Sequence, residues 1–338
     1  MKKLLSKTIQ YVLFPVFGIL IIWHLYKDQK ADEIADVLRN DMNFFWVGLS
    51  IILGILSHVS RAMRWQLLLE PVEKKPRFNN TFWVVMTGYL ANLVFPRMGE
   101  VSRCGVLSKY EKMSFTRVIG TVVAERLVDV FVLGLIALSV LVLQFDLITY
   151  FFGEYLNIDS FATVLSSPIF YGLLISIGIV IFVFFKFSDQ LKMLKQVKSL
   201  WLKFADGLGS IRKIKNKPAF VFHTIFIWLM YFLMIYVCFF SMESTASLTI
   251  HAGITILLTG SLGMLAPVQG GIGPWHFMVI ATLKLYGVDA HEAGIFALVV
   301  HAAQNAMIIV VGLLAFVMLP ILNKSNGNAE TKLEQSTI

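Results

Sequence analysis

Apolar residues in this chain come in runs of about 15 to 30, which suits helices that cross a lipid bilayer. Because hydrocarbon offers no hydrogen-bond partner to backbone N–H and C=O groups, such runs fold as helices. Hydrophobic residues make up 57% of the 338 residues and charged residues only 15%, which excludes an ordinary soluble domain. The sequence therefore predicts an all-α polytopic membrane protein.

The charges of the loops predict the orientation of the helices. After an uncleaved first helix at about 8–26, residues 27–41 carry five acidic and three basic side chains. Residues 61–80, after the second helix, carry five basic and two acidic ones. Basic loops stay in the cytoplasm, so we place the first loop outside and both termini inside. The net charge of +8 follows from such loops, and no nucleic acid partner is expected.

A short apolar run at residues 81–95 leads into the polar loop 92–103. Its length of about fifteen residues falls short of the roughly 20 that a spanning helix needs. The segment 97–117 carries five bases and two acids, and it would face outside if the short helix crossed the bilayer. We therefore interpret the run as a re-entrant hairpin that turns at Pro96. Such a turn is tolerated only inside protein or a water-filled cavity.

A second polar loop, residues 263–276, has a similar pattern. The spacing of Pro96 and Gly99 recurs at Pro267 and Gly270, between two short apolar arms. Broken helices at matching places in two hydrophobic halves indicate a transporter-type site near mid-membrane depth and are consistent with an inverted repeat. The predicted fold has about six full transmembrane helices and two opposed re-entrant hairpins.

The rest of the chain fits one transmembrane domain, residues 1–322, with a disordered cytoplasmic tail at 323–338. Residues 186–217 carry nine bases and two acids. Within them, apolar residues at helical spacing alternate with lysines. This pattern predicts an interfacial helix at about 189–205 on the cytoplasmic surface, with its lysines near anionic lipid.

Three charged residues, Glu125, Arg126 and Asp129, lie about a third of the way into an apolar run. An isolated charge near mid-bilayer costs roughly 2.5 to 3.5 kcal/mol, so these side chains need partners or water. Arg126 itself, or Arg97 or Arg103 of the first loop, is the expected counter-ion. Two interpretations stay open: a structural ion network that joins loop to helix, and contact with a substrate.

Arginines in the first loop suit a phosphate ligand, because a guanidinium group donates two parallel hydrogen bonds. A helix that begins after Gly99 or Gly273 would add backbone N–H donors. The membrane lipids expected as partners are anionic. The candidate substrate-binding residues are Arg97, Gly99, Glu100, Arg103, Glu125, Arg126, Asp129, Gln269, Gly270, Gly271, Gly273 and His276.

For several of these residues, and for some other polar residues, a structural role is the alternative to ligand binding. The glycines of the second loop could instead permit tight helix packing. We interpret Arg61 and Arg64, at the end of the second helix, as snorkelling toward the headgroups. The polar groups of the last helix are typical of hydrogen bonds between helices; they are His301, Gln304 and Asn305.

No catalytic group, cofactor or metal site is predicted. The sequence has no Gly-Lys-Ser/Thr phosphate loop, so ATP-driven transport by this chain is unsupported. His291-Glu292 lacks the second histidine of a His-Glu-x-x-His zinc motif. Cys104 and Cys238 form no motif.

Four segments in order carry a family resemblance. They are Arg61-Ala-Met-Arg-Trp65, Pro96-Arg-Met-Gly-Glu-Val-Ser-Arg103, Ala124-Glu-Arg-Leu-Val-Asp129 and Pro267-Val-Gln-Gly-Gly-Ile-Gly273. Together they resemble the flippase-like integral membrane family related to the transmembrane domain of lysylphosphatidylglycerol synthase, the multiple peptide resistance factor. The resemblance covers roughly residues 10–320.

The resemblance implies a role in moving or handling lipids across the bacterial inner membrane. The synthase has a soluble aminoacyl-transferase domain after its membrane part, whereas a short polar tail follows here, so we expect a transporter-like protein rather than an enzyme. The hypothesis is a lipid flippase that binds an anionic headgroup, of a phospholipid or a polyprenyl-phosphate-linked lipid, in a mid-membrane polar cavity. The alternative is a membrane enzyme, or an accessory subunit that presents lipid to a separate glycosyl- or aminoacyl-transferase.

Overall fold

A computed structural model describes residues 16–27, 29–144 and 209–335, together with the single residues 167, 171 and 202. All regular elements in these ranges are helices. The predicted span at about 168–187 and the predicted interfacial helix at about 189–205 lie outside the described ranges.

The described chain forms helices α1 to α12, with a π turn at Val37–Asp41 and a 3₁₀ turn at Gln269–Gly271. The helices are α1 (Val16–Tyr26), α2 (Ala31–Asp36), α3 (Phe44–Leu69), α4 (Phe78–Val94), α5 (Met98–Glu111), α6 (Phe115–Leu143), α7 (Ser210–Lys213), α8 (Lys217–Phe239), α9 (Glu243–Ala246), α10 (Ile250–Gly263), α11 (Pro274–Leu285) and α12 (Ala290–Gln335).

Four described helices are long and apolar enough to cross a bilayer: α3, α6, α8 and the part of α12 up to Lys324. They match four of the six spans that the sequence predicted. The first predicted span is described only from Val16 onward. Helix α12 continues past Leu322, where the sequence placed the start of the tail, and the predicted disorder of that tail stays a prediction.

Helices α3 and α8 pack as an antiparallel pair, and their contacts define two ends of the bundle. At one end the Asn43 amide donates to the Ser241 carbonyl over 2.8 Å, and Glu243 lies close by in the chain. At the other, Lys215 Nζ lies 3.4 Å from a carboxylate oxygen of Glu70. We call these the acidic end and the basic end.

Helices α4 and α5 form a short hairpin that starts at the basic end. There the Asn80 amide donates to the Glu111 carboxylate over 2.6 Å. Gly88 and Gly99 lie face to face along the hairpin, so closely that a Cβ added at Gly99 would overlap the Gly88 carbonyl oxygen. The turn contains Arg97 in the left-handed conformation, with φ of 60°. At about 1.5 Å per residue, α4 extends about 26 Å and α5 about 21 Å.

Helices α10 and α11 form a second short hairpin, which starts at the acidic end. Thr255 near the start of α10 and Tyr286 after α11 hydrogen-bond to each other and to Gln144, the residue that follows α6. Thr259 and Thr282 hydroxyls are 2.8 Å apart between the two helices. These helices are also short, at 14 and 12 residues.

The turns of the two hairpins meet between the ends of the bundle. Arg97 Nη2 donates to the Leu265 carbonyl over 2.9 Å. Gly270 packs against Leu93, since an added Cβ would lie 2.5 Å from the Leu93 Cδ2 atom. Thus hairpins that start at opposite ends touch through their turns.

The two loops follow different backbone paths despite the shared Pro-x-x-Gly spacing. Helix α5 begins at Met98, directly after the turn at Pro96 and Arg97. Helix α11 begins only at Pro274, after the 3₁₀ turn, because Gly270, Gly271 and Gly273 all have positive φ and extend the turn. The sequence pattern therefore does not correspond to a repeated backbone conformation at these loops.

Candidate functional site: a buried arginine–carboxylate cluster

Six charged side chains meet where α3, α5 and α6 pack against one another. We call this group the arginine–carboxylate cluster; its members are Arg61, Arg64, Arg103, Glu125, Arg126 and Asp129. All but Arg126 are buried residues. The cluster borders an apolar core that includes Trp65, Leu107 and Val118.

Glu125 lies at the centre of the cluster, and its side chain has no exposed surface. Its carboxylate contacts all four arginines: Arg61 at 2.6 Å, Arg126 at 3.1 Å, Arg103 at 3.2 Å and Arg64 at 3.4 Å. These contacts offset the cost of burying the carboxylate charge, and they tie α6 to both α3 and α5.

Asp129 forms the second acidic position, one turn after Glu125 on the same face of α6. Its carboxylate lies 2.7 Å from Arg64 Nη2, 3.3 Å from Arg61 Nη1 and 3.6 Å from Arg126 Nη1. The two carboxylates would repel each other at this spacing. Three of the arginines bind both carboxylates, which offsets that repulsion.

Close helix packing brings Arg103 into the cluster. At Gly88 a Cβ would lie 2.9 Å from the Gly99 carbonyl and 3.2 Å from Arg103 Cβ, so α4 and α5 approach closely only because both positions are glycine. The Arg103 guanidinium carbon lies 4.6 Å from the Trp65 ring centroid, a cation–π contact. The Trp65 indole N–H donates to Thr121 over 3.0 Å, which holds that ring in place.

The cluster contains more positive charge than negative charge. Four guanidinium groups face two carboxylates, so two positive charges are uncompensated among the described residues. Several buried guanidinium nitrogens also have no hydrogen-bond partner in the described chain: Nε of Arg61, Nε and Nη1 of Arg64, and Nε of Arg126. A buried donor without an acceptor costs about 1 to 3 kcal/mol, and more when charged. The arrangement is therefore suited to an additional anion.

Aromatic side chains from three helices border the cluster. Arg61 Nη2 donates to the Tyr231 hydroxyl over 2.8 Å, and the Tyr89 hydroxyl lies 3.4 Å from that of Tyr231. The His58 ring packs on Tyr89 with centroids 4.3 Å apart. Sequence reasoning missed these three residues. Only His58 gave a signal, since its spacing to Arg61 places both on one face of α3.

The interpretation of Arg61 and Arg64 as snorkelling residues was wrong. Their relative exposures are 3% and 0%, and both bind carboxylates of α6. The physical reason is the length of α3, which continues to Leu69 and does not end at Arg61. Both guanidinium groups therefore lie well inside the helix rather than at its end.

Of the candidates in the first loop, only Arg103 joins the cluster. Arg97 is exposed and binds the Leu265 carbonyl. The Gly99 N–H is taken by the Asn92 side chain over 2.6 Å, so it is not a free donor for a ligand. Glu100 is half-buried, and no ion pair joins it to the cluster in the described chain.

The glycines of the second loop contact protein rather than open space. Gly273 packs against the Gly18 carbonyl, where an added Cβ would lie 2.8 Å away. Gly271 packs against the sulfur of Met264. Together with the positive φ values, these contacts favour the packing alternative. None of the atoms nearest to these glycines belongs to the cluster.

Gln269 and His276 take different places near this loop. Gln269 lines a mostly apolar cleft of about 230 Å³ beside α1. The buried His276 ring lies 4.5 Å from His301 and 6.3 Å from Tyr26, measured between centroids. Neither residue contacts the charged cluster.

Of the three polar residues of α12, His301 and Gln304 form hydrogen bonds to other elements, as the sequence indicated, whereas Asn305 bonds within α12. His301 Nε2 lies 2.9 Å from the Gly270 carbonyl and so donates to it. Asn305 Nδ2 donates to His301 Nδ1 over 3.0 Å, and Gln304 donates to the Ser50 hydroxyl over 2.7 Å. His301 therefore fixes the turn of the second hairpin to α12.

The described ranges contain no group of three or more His, Cys, Asp or Glu side chains that could hold a metal ion. Cys104 and Cys238 are buried free thiols.

The fold and the cluster define a multi-pass helical membrane protein with a buried, net-positive charge site. The chain belongs to the family described as the lysylphosphatidylglycerol synthase TM region, which it matches over residues 9–312. It is 24% identical to a UPF0104 membrane protein of Methanocaldococcus jannaschii, over 94% of this chain and 96% of that protein. It is 23% identical to a UPF0104 membrane protein of Methanothermobacter thermautotrophicus, over 89% and 93% respectively. These two relatives are archaeal.

Proposed function

We propose that the protein is a lipid translocase of the cytoplasmic membrane that binds an anionic lipid headgroup at the arginine–carboxylate cluster. The acyl chains stay in the bilayer while the headgroup moves through the protein. In this proposal the α4–α5 and α10–α11 hairpins are re-entrant, and both termini are cytoplasmic.

The observation that carries the proposal is the excess of guanidinium groups over carboxylates in the cluster, with buried nitrogens that have no acceptor in the described chain. A network that only joined helices would be expected to balance its charges, since an uncompensated buried charge is costly. Guanidinium groups bind phosphate oxygens through paired hydrogen bonds. A phosphate-containing headgroup therefore supplies the missing acceptors and negative charge together.

Depth along the helices also supports the proposal. At about 1.5 Å per residue, Arg61 lies about 12 Å from the basic end of α3, and Glu125 about 15 Å from the start of α6. Both helices are longer than a hydrocarbon core of about 30 Å, so these positions would lie inside the core, on the side of the basic end rather than at its centre. Charges at that depth are unfavourable in lipid and are typical of substrate pathways.

The distribution of charge supports the orientation. Lys74, Arg77 and Lys215 lie at the basic end, whereas Asp41 and Glu243 lie at the acidic end. Positively charged loops remain in the cytoplasm, so the basic end would face inward. The α4–α5 hairpin would then enter from the cytoplasm and the α10–α11 hairpin from outside.

The contact between the hairpin turns suggests how access alternates. Arg97 and Leu265 join the turns through one exposed hydrogen bond, which a modest movement would break. In this conformation Arg64 and Glu125 are fully enclosed. Rocking of one hairpin against the other would expose the cluster to one side at a time.

Reconstitution into liposomes tests the proposal. Purified protein is incorporated into vesicles with a fluorescent anionic phospholipid or polyprenyl phosphate, and the lipid that reaches the other leaflet is measured with and without a pH gradient. We expect faster movement than in protein-free vesicles. Arg61→Gln should slow it about 10- to 100-fold, because a hydrogen bond to a charged group contributes about 1.5 to 3 kcal/mol.

Arg212→Gln is the matched control, since Arg212 is exposed on α7 at the basic end. It should transport like the unmodified protein. Rates equal to those of protein-free vesicles under all conditions would contradict translocation. If the protein then still bound lipid and co-purified with a transferase, the accessory-subunit alternative would replace the proposal.

A further inference from the structure

We infer that the ligand of the cluster is a phosphate group with two negative charges, a phosphomonoester or diphosphate, rather than a singly charged phosphodiester or an aminoacylated, positively charged headgroup. This inference rests on the proposed function and specifies the lipid class of the same site.

Charge balance is the first step of the argument. Four guanidinium groups and two carboxylates leave two positive charges at a site where Arg61, Arg64 and Arg103 are almost completely buried. A phosphodiester would leave one of these charges uncompensated. A doubly charged phosphate would leave none. A lysine-bearing headgroup would bring in further positive charge, which the site disfavours by like-charge repulsion.

The unpaired donors give the second step. Arg61, Arg64 and Arg126 each keep at least one buried N–H without an acceptor in the described chain, although each already binds a carboxylate. The free donors thus belong to three different side chains. A terminal phosphate presents three oxygens, each a strong acceptor, whereas a phosphodiester has only two unesterified oxygens. The three oxygens of a terminal phosphate therefore equal in number the three arginines that have N–H groups without an acceptor.

Arg126 marks where such a group would enter. Its side chain is 42% exposed, whereas those of Arg61 and Arg64 are 4% and 0% exposed. On the same helix the neighbouring Leu127 and Val130 are exposed and apolar. A lipid whose chains lie along these residues would reach the cluster with its headgroup at Arg126 first.

A competition assay tests the inference. The full-length protein is held in phosphatidylcholine nanodiscs with a fluorescent polyprenyl monophosphate. The competitors are phosphatidic acid, phosphatidylglycerol, lysylphosphatidylglycerol and inorganic phosphate. We expect phosphatidic acid to compete at least tenfold better than phosphatidylglycerol, which corresponds to about 1.4 kcal/mol. Lysylphosphatidylglycerol should be the weakest lipid.

The variant Arg126→Gln sharpens the test, because it reduces the excess to one positive charge. It should lower the preference for phosphatidic acid over phosphatidylglycerol at least fivefold, whereas Arg126→Lys should keep the preference. Should Arg126→Gln not fold, the ratio in the unmodified protein and in Arg126→Lys still decides the question.

The outcomes separate this inference from the proposed function. If phosphatidylglycerol competes as well as phosphatidic acid, the doubly charged ligand is refuted while an anionic lipid still stands. If inorganic phosphate competes as well as phosphatidic acid, the phosphate chemistry is supported and the lipid source is refuted. If lysylphosphatidylglycerol binds best, or if no probe binds, both proposals fail.

Discussion

Replacing Glu125 with glutamine tests the cluster at its centre. Glu125→Gln keeps the size and shape of the side chain but removes the charge that contacts all four arginines. Asp129, which contacts three of the four arginines, would then be the one carboxylate left in the cluster. Removing one partner of a buried ion pair costs about 3 to 5 kcal/mol, because the remaining charge stays buried without compensation.

The expected change in melting temperature follows from the size of the chain. With an unfolding entropy of about 2.1 cal/mol/K per residue, 1 kcal/mol corresponds to about 1.4 °C for 338 residues. Glu125→Gln should therefore lower Tm by about 4 to 7 °C. The measurement is thermal unfolding of the purified protein in a neutral detergent, free of added lipid.

Glu100→Gln provides the matched control. Glu100 is the same residue type on α5, is half-buried, and has no ion pair with the cluster in the described chain. It should change Tm by less than about 1 °C, as surface substitutions usually do. The double substitution Glu125→Gln with Arg103→Gln removes one charge of each sign and should recover about half of the loss. If Glu125→Gln melted within 1 °C of the control, the cluster would not be the buried, mutually compensated network described above.

Three further predictions concern packing, the hairpin turns and orientation. Gly99→Ala should destabilise the protein by about 2 kcal/mol or more through overpacking. Gly105→Ala on the same helix should not, because no atom lies within 4 Å of an added Cβ there. Thermal unfolding of the two variants compares their stabilities. Arg97→Ala should lower the free energy of unfolding by less than about 1 kcal/mol, because the hydrogen bond of Arg97 is exposed. It should nevertheless change the rate of lipid movement in vesicles. An unchanged rate would argue against a role of the contact between the turns in access. Lys215→Cys should react with a membrane-impermeant thiol reagent only from the cytoplasmic side and Glu243→Cys only from outside; the reverse pattern would contradict the orientation.

Much of the fold was predictable because bilayer physics is visible in the sequence. The spans at α3, α6, α8 and α12 follow from apolar runs, and the short lengths of the hairpin helices follow from the interrupting prolines and glycines. The boundaries were less predictable. The end of α3 was placed at Arg61, since a charged residue in an apolar run resembles a helix end, and the helix continues to Leu69.

The candidate site was predictable in part. The sequence identified Glu125, Arg126 and Asp129 as charges that need partners, and it named Arg103 as one possible counter-ion. It did not identify Arg61 and Arg64 as members of the cluster, because ion pairing between helices about 60 residues apart depends on their relative rotation and distance.

The sequence by itself determined that this protein is a helical bundle in a membrane, since only helices satisfy the backbone in lipid, and that charges within its apolar runs must be paired. Only the tertiary structure decided which charges pair. The close approach of Gly88 and Gly99 sets the position of Arg103, and the packing of α3 against α6 brings Arg61 and Arg64 to the carboxylate of Glu125. The physical reason is that the excess positive charge arises only where three helices bring their charged residues together. The packing of those helices sets its position.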